Sequence, residues 1–423
     1  MIHSHFLTDY PLEAMLADAE RGVTPSVPPR SNAHVHLPPN FSAFESVAQA
    51  VDLAASQDVR ILGASNYYDF SIYESFTELS LASGIYPMFG LEVIALLDDV
   101  KRAGILINDP GNPGRMYLCG KGITKFESPT TAARQLLDRI RRSDEERMRK
   151  MVRLMLEVFA SGGVNSALDE NRIIDGIVTR YGVDRSVVTL QERHVAQAFQ
   201  EELFRTVPVS GRSRALSRIL GRPFEGDPAN GVKIQNEIRS SLMKVGKPAF
   251  VEESFVNFDQ ACRLILELGG IPCYPTLADG ASPICGYEDP PGKLIEALRE
   301  KHIFCAEFIP LRNDPGVLER YVTAFRRADF VVTVGTEHNT LDLLPMEPAC
   351  RGGAPVPPAV KEIFLEGAYV VIAHQFLTSL GCPGYVDTEG NLNTAFSSPE
   401  ERIGYFRRVG AAVVARHQAG NRI

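Results

Sequence analysis

Two histidines, His34 and His36, stand two residues apart in the run Ser31-Asn32-Ala33-His34-Val35-His36-Leu37. In an extended strand, residues so spaced point to one face. Two imidazoles on one face at a strand end are the usual start of a metal site in a barrel hydrolase. Neutral imidazole suits Zn, Mn and Fe, and carboxylates normally complete the shell. Three carboxylates follow at later strand-like ends: Glu92, Glu307 and Glu337. A lone carboxylate there is commonly a helix cap or a surface residue. Several of them after a His-x-His pair read as an active site at the carboxyl ends of barrel strands.

The elements that must position these residues alternate in type. After the histidines, Ser42 and Glu45 form a plausible capping box, and Phe44, Val47, Ala48, Val51 and Ala55 give one apolar helical face. Residues 59–64 read as a short buried strand ending at Ser65-Asn66-Tyr67-Tyr68, and residues 84–93 as another, with Glu92 near its end. Strand, helix, strand, helix, strand is the signature of parallel α/β architecture. From 127 to about 250 the rhythm breaks. Leu136, Leu137, Ile140, Met148, Met151, Met155 and Val158 recur at helical spacing. Arg139, Arg141, Arg142, Asp144, Glu145, Glu146, Arg149 and Arg153 read as the solvated, salt-bridged opposite face. Further helices at 191–204 and 232–245, with a Gly/Pro/Ser-rich break at 207–226, complete a helical insertion.

The alternation resumes near Asn257. Asp259 caps a helix with the apolar face Cys262, Leu264, Ile265 and Leu268, closed by Gly269-Gly270. Strands at 271–275, 303–308 and 330–335 alternate with helices at 292–301 and 316–327, and the last strand runs into Thr336-Glu337-His338-Asn339. A Pro-rich loop (345–358) and helices at 360–380 and 399–415 end the chain. The organisation expected is an N-terminal arm over 1–30, Pro-rich at its end, a barrel from 31–120 and 251–345, an insertion over 121–250, and a C-terminal helical extension over 346–423.

Composition narrows the class. A chain of 423 residues has room for one large barrel with an insertion, or for two to three smaller domains. Apolar content of 44% and charged content of 23% fit an ordinary soluble globular protein with a sizeable core. A net charge of −8 argues against a general nucleic-acid coat and leaves room for a local basic patch. Seven scattered cysteines without Cys-x-x-Cys argue against a zinc ribbon or redox pair and suit a reducing cytoplasm. The start carries His3, His5, Asp9 and Glu13 instead of a basic region and a long apolar run, so no signal peptide is expected. No stretch is apolar and long enough to span a bilayer, and no internal repeat is visible.

Taken in order, the motifs resemble those of the PHP (polymerase and histidinol phosphatase) superfamily of metal-dependent phosphoesterases, over roughly residues 32–340. The likeness is nearest to the nucleotide phosphatase and exoribonuclease branch with a helical insertion. His34 and His36 match the opening His-x-His, and Gly90-Leu91-Glu92 the Gly-x-Glu strand. The run from Gln191 through Glu192, Arg193, His194, Val195 and Ala196, followed by Phe199, is similar to the inserted Thr-Arg-x-His helix. Gly269-Gly270 to Tyr274-Pro275 resembles the Gly-Gly strand that ends in Ala-His-Pro. Cys305-Ala306-Glu307-Phe308 and Gly335-Thr336-Glu337-His338-Asn339 resemble the last two motifs. The resemblance implies a distorted (βα)7-type barrel of mostly parallel strands with an inserted helical subdomain.

The departures are informative. Thr-Asp-His becomes Ser65-Asn66-Tyr67, two further family histidines become Tyr117 and Tyr274, and the closing Asp becomes Glu337. The final His is either Asn339 or, shifted by one, His338. Where relatives hold three metals, the resemblance leaves ligands for about one divalent ion, Mn, Zn or Fe: His34, His36, Glu92 and Glu337, with His338 in reserve. It further implies that Tyr67 and Tyr274 act in catalysis or are plain packing residues. Arg193, His194 and Tyr117 would meet an anionic substrate, with Arg193 and His194 otherwise an ordinary exposed pair. Glu307 would orient a ligand imidazole, and His302 and His374 are structural. Loss of the imidazoles should make the pocket less cationic. The function implied is a cytoplasmic metal-dependent hydrolase with a small anionic substrate, a phosphate ester or sugar acid, and with no membrane or extended nucleic-acid partner. The alternative is a catalytically impaired relative that binds metal or ligand.

Overall fold

The computed structural model describes residues 5–252 and 256–420, so His3 lies outside the described residues. Eight strands form one sheet: β1 (Arg30–Val35), β2 (Val59–Ala64), β3 (Tyr86–Leu96), β4 (Arg115–Lys121), β5 (Val256–Asn257), β6 (Ile271–Thr276), β7 (Cys305–Phe308) and β8 (Val331–Val334). The order is β1-β2-β3-β4-β6-β7-β8, with β5 added to β3. All pairings are parallel except the two made by β4, which is antiparallel to β3 and to β6. The segment before β4 holds only the five-residue helix Asp98–Arg102, too short for a crossover, so the chain turns back beside β3. Past the end of β8, a parallel bridge joins Glu337 to Val35, and His36 N–H donates to Glu337 O at 2.8 Å. That contact brings β8 to β1 and nearly closes the sheet. The architecture is the distorted, mostly parallel α/β barrel with an inserted helical part that the sequence leads one to expect.

Several local expectations need correction. The helix after the histidines starts at Val47, because Ser46 caps it by accepting from Gln49 N. Ser42 instead donates to His36 O at 2.7 Å and so holds the loop that follows the histidines. The later helix Phe258–Glu267 is capped by Asn257 in a box with Gln260, not by Asp259. Residues before β1 include the helix Leu12–Glu20, and Phe6, Leu7, Tyr10 and Met15 are buried in the main core.

The insertion carries its own apolar core. The 31-residue helix Thr131–Ser161 starts on the barrel core with Ala133, Leu137 and Ile140 and ends in a second cluster with Met148, Met151, Met155 and Phe159. Such a helix is about 46 Å long, enough to serve both. Asp144 lies on its buried side, not on a solvated face, together with Arg147. At the other end of the chain, helix Pro358–Ser379 packs on β8 through Gly367, where a Cβ would sit 2.0 Å from Val332 O. His374 on this helix is structural as expected: Nε2 donates to Gly269 O at 2.9 Å, and Nδ1 accepts from Tyr385 N at 3.0 Å. No helix among the described residues is long and apolar enough to cross a membrane.

Candidate metal centre and pocket

β1 delivers His34 and the residue after its end supplies His36, both on one face as their spacing requires. Their Nε2 atoms are 3.4 Å apart. Glu92 Oε2 lies 3.1 Å from His36 Nε2 and 3.3 Å from His34 Nε2. All three side chains are buried. Glu92 comes from within β3, not from its end, because the apolar run Val93–Leu96 prolongs the strand. Two local devices hold the histidines. Gly335 leaves room for His34, whose Cβ would be 2.5 Å from a Cβ added there. Asn66 clamps Leu37 from both sides, accepting from its N–H and donating to its carbonyl, each at 2.8 Å.

Behind this group, Glu307 Oε1 lies 2.6 Å from His34 Nδ1. A carboxylate only accepts, so Nδ1 carries the hydrogen and Nε2 is the atom turned toward His36 and Glu92. Burial opposes charge on Glu307, but Lys121 and His34 hold its carboxyl down at about 2. Burial likewise opposes charge on Glu92, and hydrogen bonds from His34 and His36 keep it well below the usual carboxylate range.

The tyrosines divide. Tyr67 stacks on His36, ring centres 5.2 Å apart and planes within 6°, and its hydroxyl donates to Glu92 Oε1. Burial and then the Glu92 charge push this phenol well above its ordinary range. Tyr117 lines the same cavity, with the Arg115 guanidinium 5.0 Å from its ring centre. Tyr274 does not line it. Its hydroxyl is turned away to the buried Glu288, 2.8 Å from Oε1.

Glu337 faces the cavity but stands outside the close His34–His36–Glu92 group. Its carboxylate is held by Arg312 and by Asn339, whose Nδ2 is 2.5 Å from Oε2. The backbone is left-handed at both Glu337 (φ 58°) and His338 (φ 51°), a conformation unusual outside glycine. His338 is turned from the cavity with both ring nitrogens engaged, Nδ1 with Thr336 Oγ1 at 2.8 Å and Nε2 with Leu344 O at 2.9 Å. Arg193 lines the cavity and donates to Asn339 Oδ1 at 3.4 Å. His194, its neighbour, is buried away from it and accepts from Gln191 N, capping its own helix.

The cavity has a volume of about 480 Å³ and lies between the barrel end and the insertion. Six cations line it: Arg115, Arg147, Arg193, Arg239, Lys244 and Arg312. Of these only Arg193 was singled out from the sequence, and five carboxylates, Glu92, Asp109, Asp144, Glu192 and Glu337, line the same cavity. Glu192 organises part of the set, with Lys244 Nζ at 3.0 Å, Arg239 Nε at 3.3 Å and Arg147 closer still. Burial opposes its charge, and the Lys244, Arg147 and Arg239 charges hold it well below the usual range. One signal was present for Arg147: it is four residues before Met151 and eight before Met155, on the apolar stripe.

No known sequence family and no curated protein matches the chain. Solved structures do. A protein from Bifidobacterium adolescentis, provisionally named a metal-dependent phosphoesterase, superposes with a TM-score of 0.52 at 14% identity, covering 81% of this chain and 97% of that one. An amidohydrolase from Chromobacterium violaceum, solved with bound sulfate and no metal, gives 0.49 at 15% identity, covering 79% of this chain and 96% of that one. At such identities the likeness to the Bifidobacterium protein concerns the fold alone.

Proposed function

We propose that the chain is a metal-dependent hydrolase for a small anionic substrate, a phosphate ester or sugar acid, with a reduced site of the PHP type for one divalent ion. One observation carries this reading. The His34, His36 and Glu92 donor atoms are 3.1, 3.3 and 3.4 Å apart. A tetrahedral site with metal–ligand distances of about 2.0–2.1 Å has edges of about 3.3–3.4 Å. Two imidazoles and a carboxylate are also the donor chemistry of a catalytic Zn, Mn or Fe site. The name of the Bifidobacterium protein runs the same way.

A bound divalent ion supplies Lewis acidity, lowering the pKa of a water and polarising the scissile group. The chain's own residues do the rest. Glu307 keeps the hydrogen of His34 on Nδ1. Tyr67 remains a protonated phenol, so it is a hydrogen-bond donor to Glu92 and not a phenolate ligand. Glu337, tied to Arg312 and Asn339, borders the space where substrate would sit. Arg193, Arg239 and Lys244 draw the anionic part of the substrate under the insertion, where a guanidinium fork suits phosphate or carboxylate. Seven free cysteines fit a reducing compartment such as the cytoplasm.

Metal analysis of protein purified without chelator, followed by a panel of phosphate monoesters and sugar-acid esters, tests the reading. The expected result is one equivalent of metal per chain, lost in His36→Ala, with turnover on one substrate class that depends on that metal. Wild-type protein that takes up no Zn, Mn or Fe overturns it.

A further inference from the structure

Beneath the His34–His36–Glu92 group lies a charged pair, Lys121 and Glu307, of which the hydrolase reading leaves Lys121 without a task. Lys121, at the end of β4, is 2% exposed and Glu307 is fully buried. The ammonium lies 2.5 Å from Glu307 Oε2 on β7 and donates to Ala33 O on β1 at 3.2 Å. In the sheet, β6 separates β4 from β7, and β2 and β3 separate it from β1. These bonds therefore cross the barrel interior. Apolar side chains normally fill that space. A buried ion pair there brings no stability beyond what apolar residues of like volume would give, so its presence calls for another explanation.

We propose that Lys121 is a positioning residue for the metal centre, a role that rests on the metal-site reading above. Its Nζ grips one oxygen of Glu307, which sets the carboxylate so that the other oxygen meets His34 Nδ1 at 2.6 Å. The same ammonium holds the carbonyl of Ala33, the residue immediately before His34. Side chain and backbone of one ligand are thus fixed from a single point. Thr333 Oγ1 adds a weaker bond to Glu307 Oε2 at 3.3 Å. Lys121 also acts by exclusion. His34 Nδ1, Cys119 Sγ and Glu307 Oε1 form a second group of ligand-type atoms close enough to share an ion. An ammonium on Glu307 repels a dication from that group and leaves His34 to face one metal, through Nε2.

The test uses the full chain with Lys121→Met, which removes the charge at similar volume, and Lys121→Gln, which keeps an N–H donor. Zinc affinity is read by competition with a chromogenic chelator, and the His34 ring nitrogens by ¹⁵N-histidine NMR of the zinc-loaded protein. Loss of a partner that orients a metal-bound imidazole weakens metal binding by about 10- to 100-fold. Lys121→Met is expected in that range, with the Nδ1–H signal of His34 shifted or lost, and Lys121→Gln is expected to lose less. If Lys121→Met does not fold, Lys121→Gln, which leaves Glu307 in place, carries the test by itself, with a smaller weakening and the same change at His34 Nδ1 expected. Wild-type affinity with unchanged His34 shifts in the folded variant overturns the role of Lys121 and leaves the metal centre standing. A wild-type protein that binds none of Zn, Mn and Fe overturns the metal centre and this role together.

Discussion

Tyr67→Phe separates a structural tyrosine from a working one. The substitution removes a single oxygen. The ring stays on His36 at 5.2 Å, so no cavity opens in the stack. What is lost is the donor to Glu92 Oε1, while Oε2 still faces the two imidazoles. A hydrogen bond to a charged group contributes about 1.5–3 kcal/mol net. Glu92 without it should therefore hold a divalent ion about 10- to 150-fold more weakly, at roughly 1.4 kcal/mol per tenfold. Chelator competition reads that affinity, and thermal unfolding monitored by circular dichroism checks that the fold is intact. At saturating metal, the hydrolytic rate should fall little, because a phenol pushed well above its ordinary pKa is a poor proton donor at neutral pH. Wild-type metal affinity in Tyr67→Phe would show that the Glu92 contact has no part in holding an ion. A rate loss beyond about 100-fold at saturating metal would show general acid catalysis and refute the assignment of Tyr67 as a mere donor.

Other expectations follow from the same geometry. Tyr274→Phe should leave metal affinity and turnover unchanged but cost about 1.5–3 kcal/mol of stability in urea unfolding, because it strips a donor from the buried Glu288; a selective loss of activity would restore Tyr274 to the site. Arg239→Ala should raise KM for the substrate several-fold or more, with metal content unchanged, since Arg239 lines the cavity but is not among the ligand-type atoms; an unchanged KM would remove the insertion's cations from substrate binding. Burial raises Glu288 to about 7, against three donors that favour its charge. Below about 4.5 both folded and unfolded chains hold this proton; between 4.5 and 7 the unfolded chain releases it first, so stability falls as pH rises and then levels off. The contribution lost between pH 5 and 8 is about 2–3 kcal/mol, and it should vanish from the pH dependence of Glu288→Gln; an identical pH dependence in that variant would contradict it.

How much of this was readable in advance depends on the range of each signal. The pairing of His34 with His36 was legible because strand periodicity is local: two residues apart means one face, whatever the rest of the chain does. The parallel barrel was legible for the same reason, through alternating segments of period 2 and period 3.6. The direction of β4 was not, since its short apolar middle, Met116–Cys119, reads alike in either sense, and only the partners of Cys119, Glu92 and Cys273, fix it. Tyr274 was matched by resemblance to a family histidine, yet position in a motif does not say where a hydroxyl turns. A buried carboxylate fourteen residues on, Glu288, decided that.

The cations show the same limit from the other side. Asp144 looked solvated because its neighbours Glu145 and Glu146 are charged, although Ile140, Met148 and Met151 lie four to seven residues away, on the buried stripe. A charge on such a stripe conflicts with burial unless a second element supplies partners. Those partners are distant in sequence. Arg147 meets Glu192 across 45 residues, and Lys244 meets it across 52. Charges placed against the local pattern therefore mark where the insertion folds back on the barrel, and that junction is where the cavity forms. Lys121 obeys the same logic inside the barrel, because its partners Ala33 and Glu307 lie 88 and 186 residues away. In this chain the local pattern builds the walls, and charges that break it, such as Arg147 and Lys121, find their partners only through the tertiary fold.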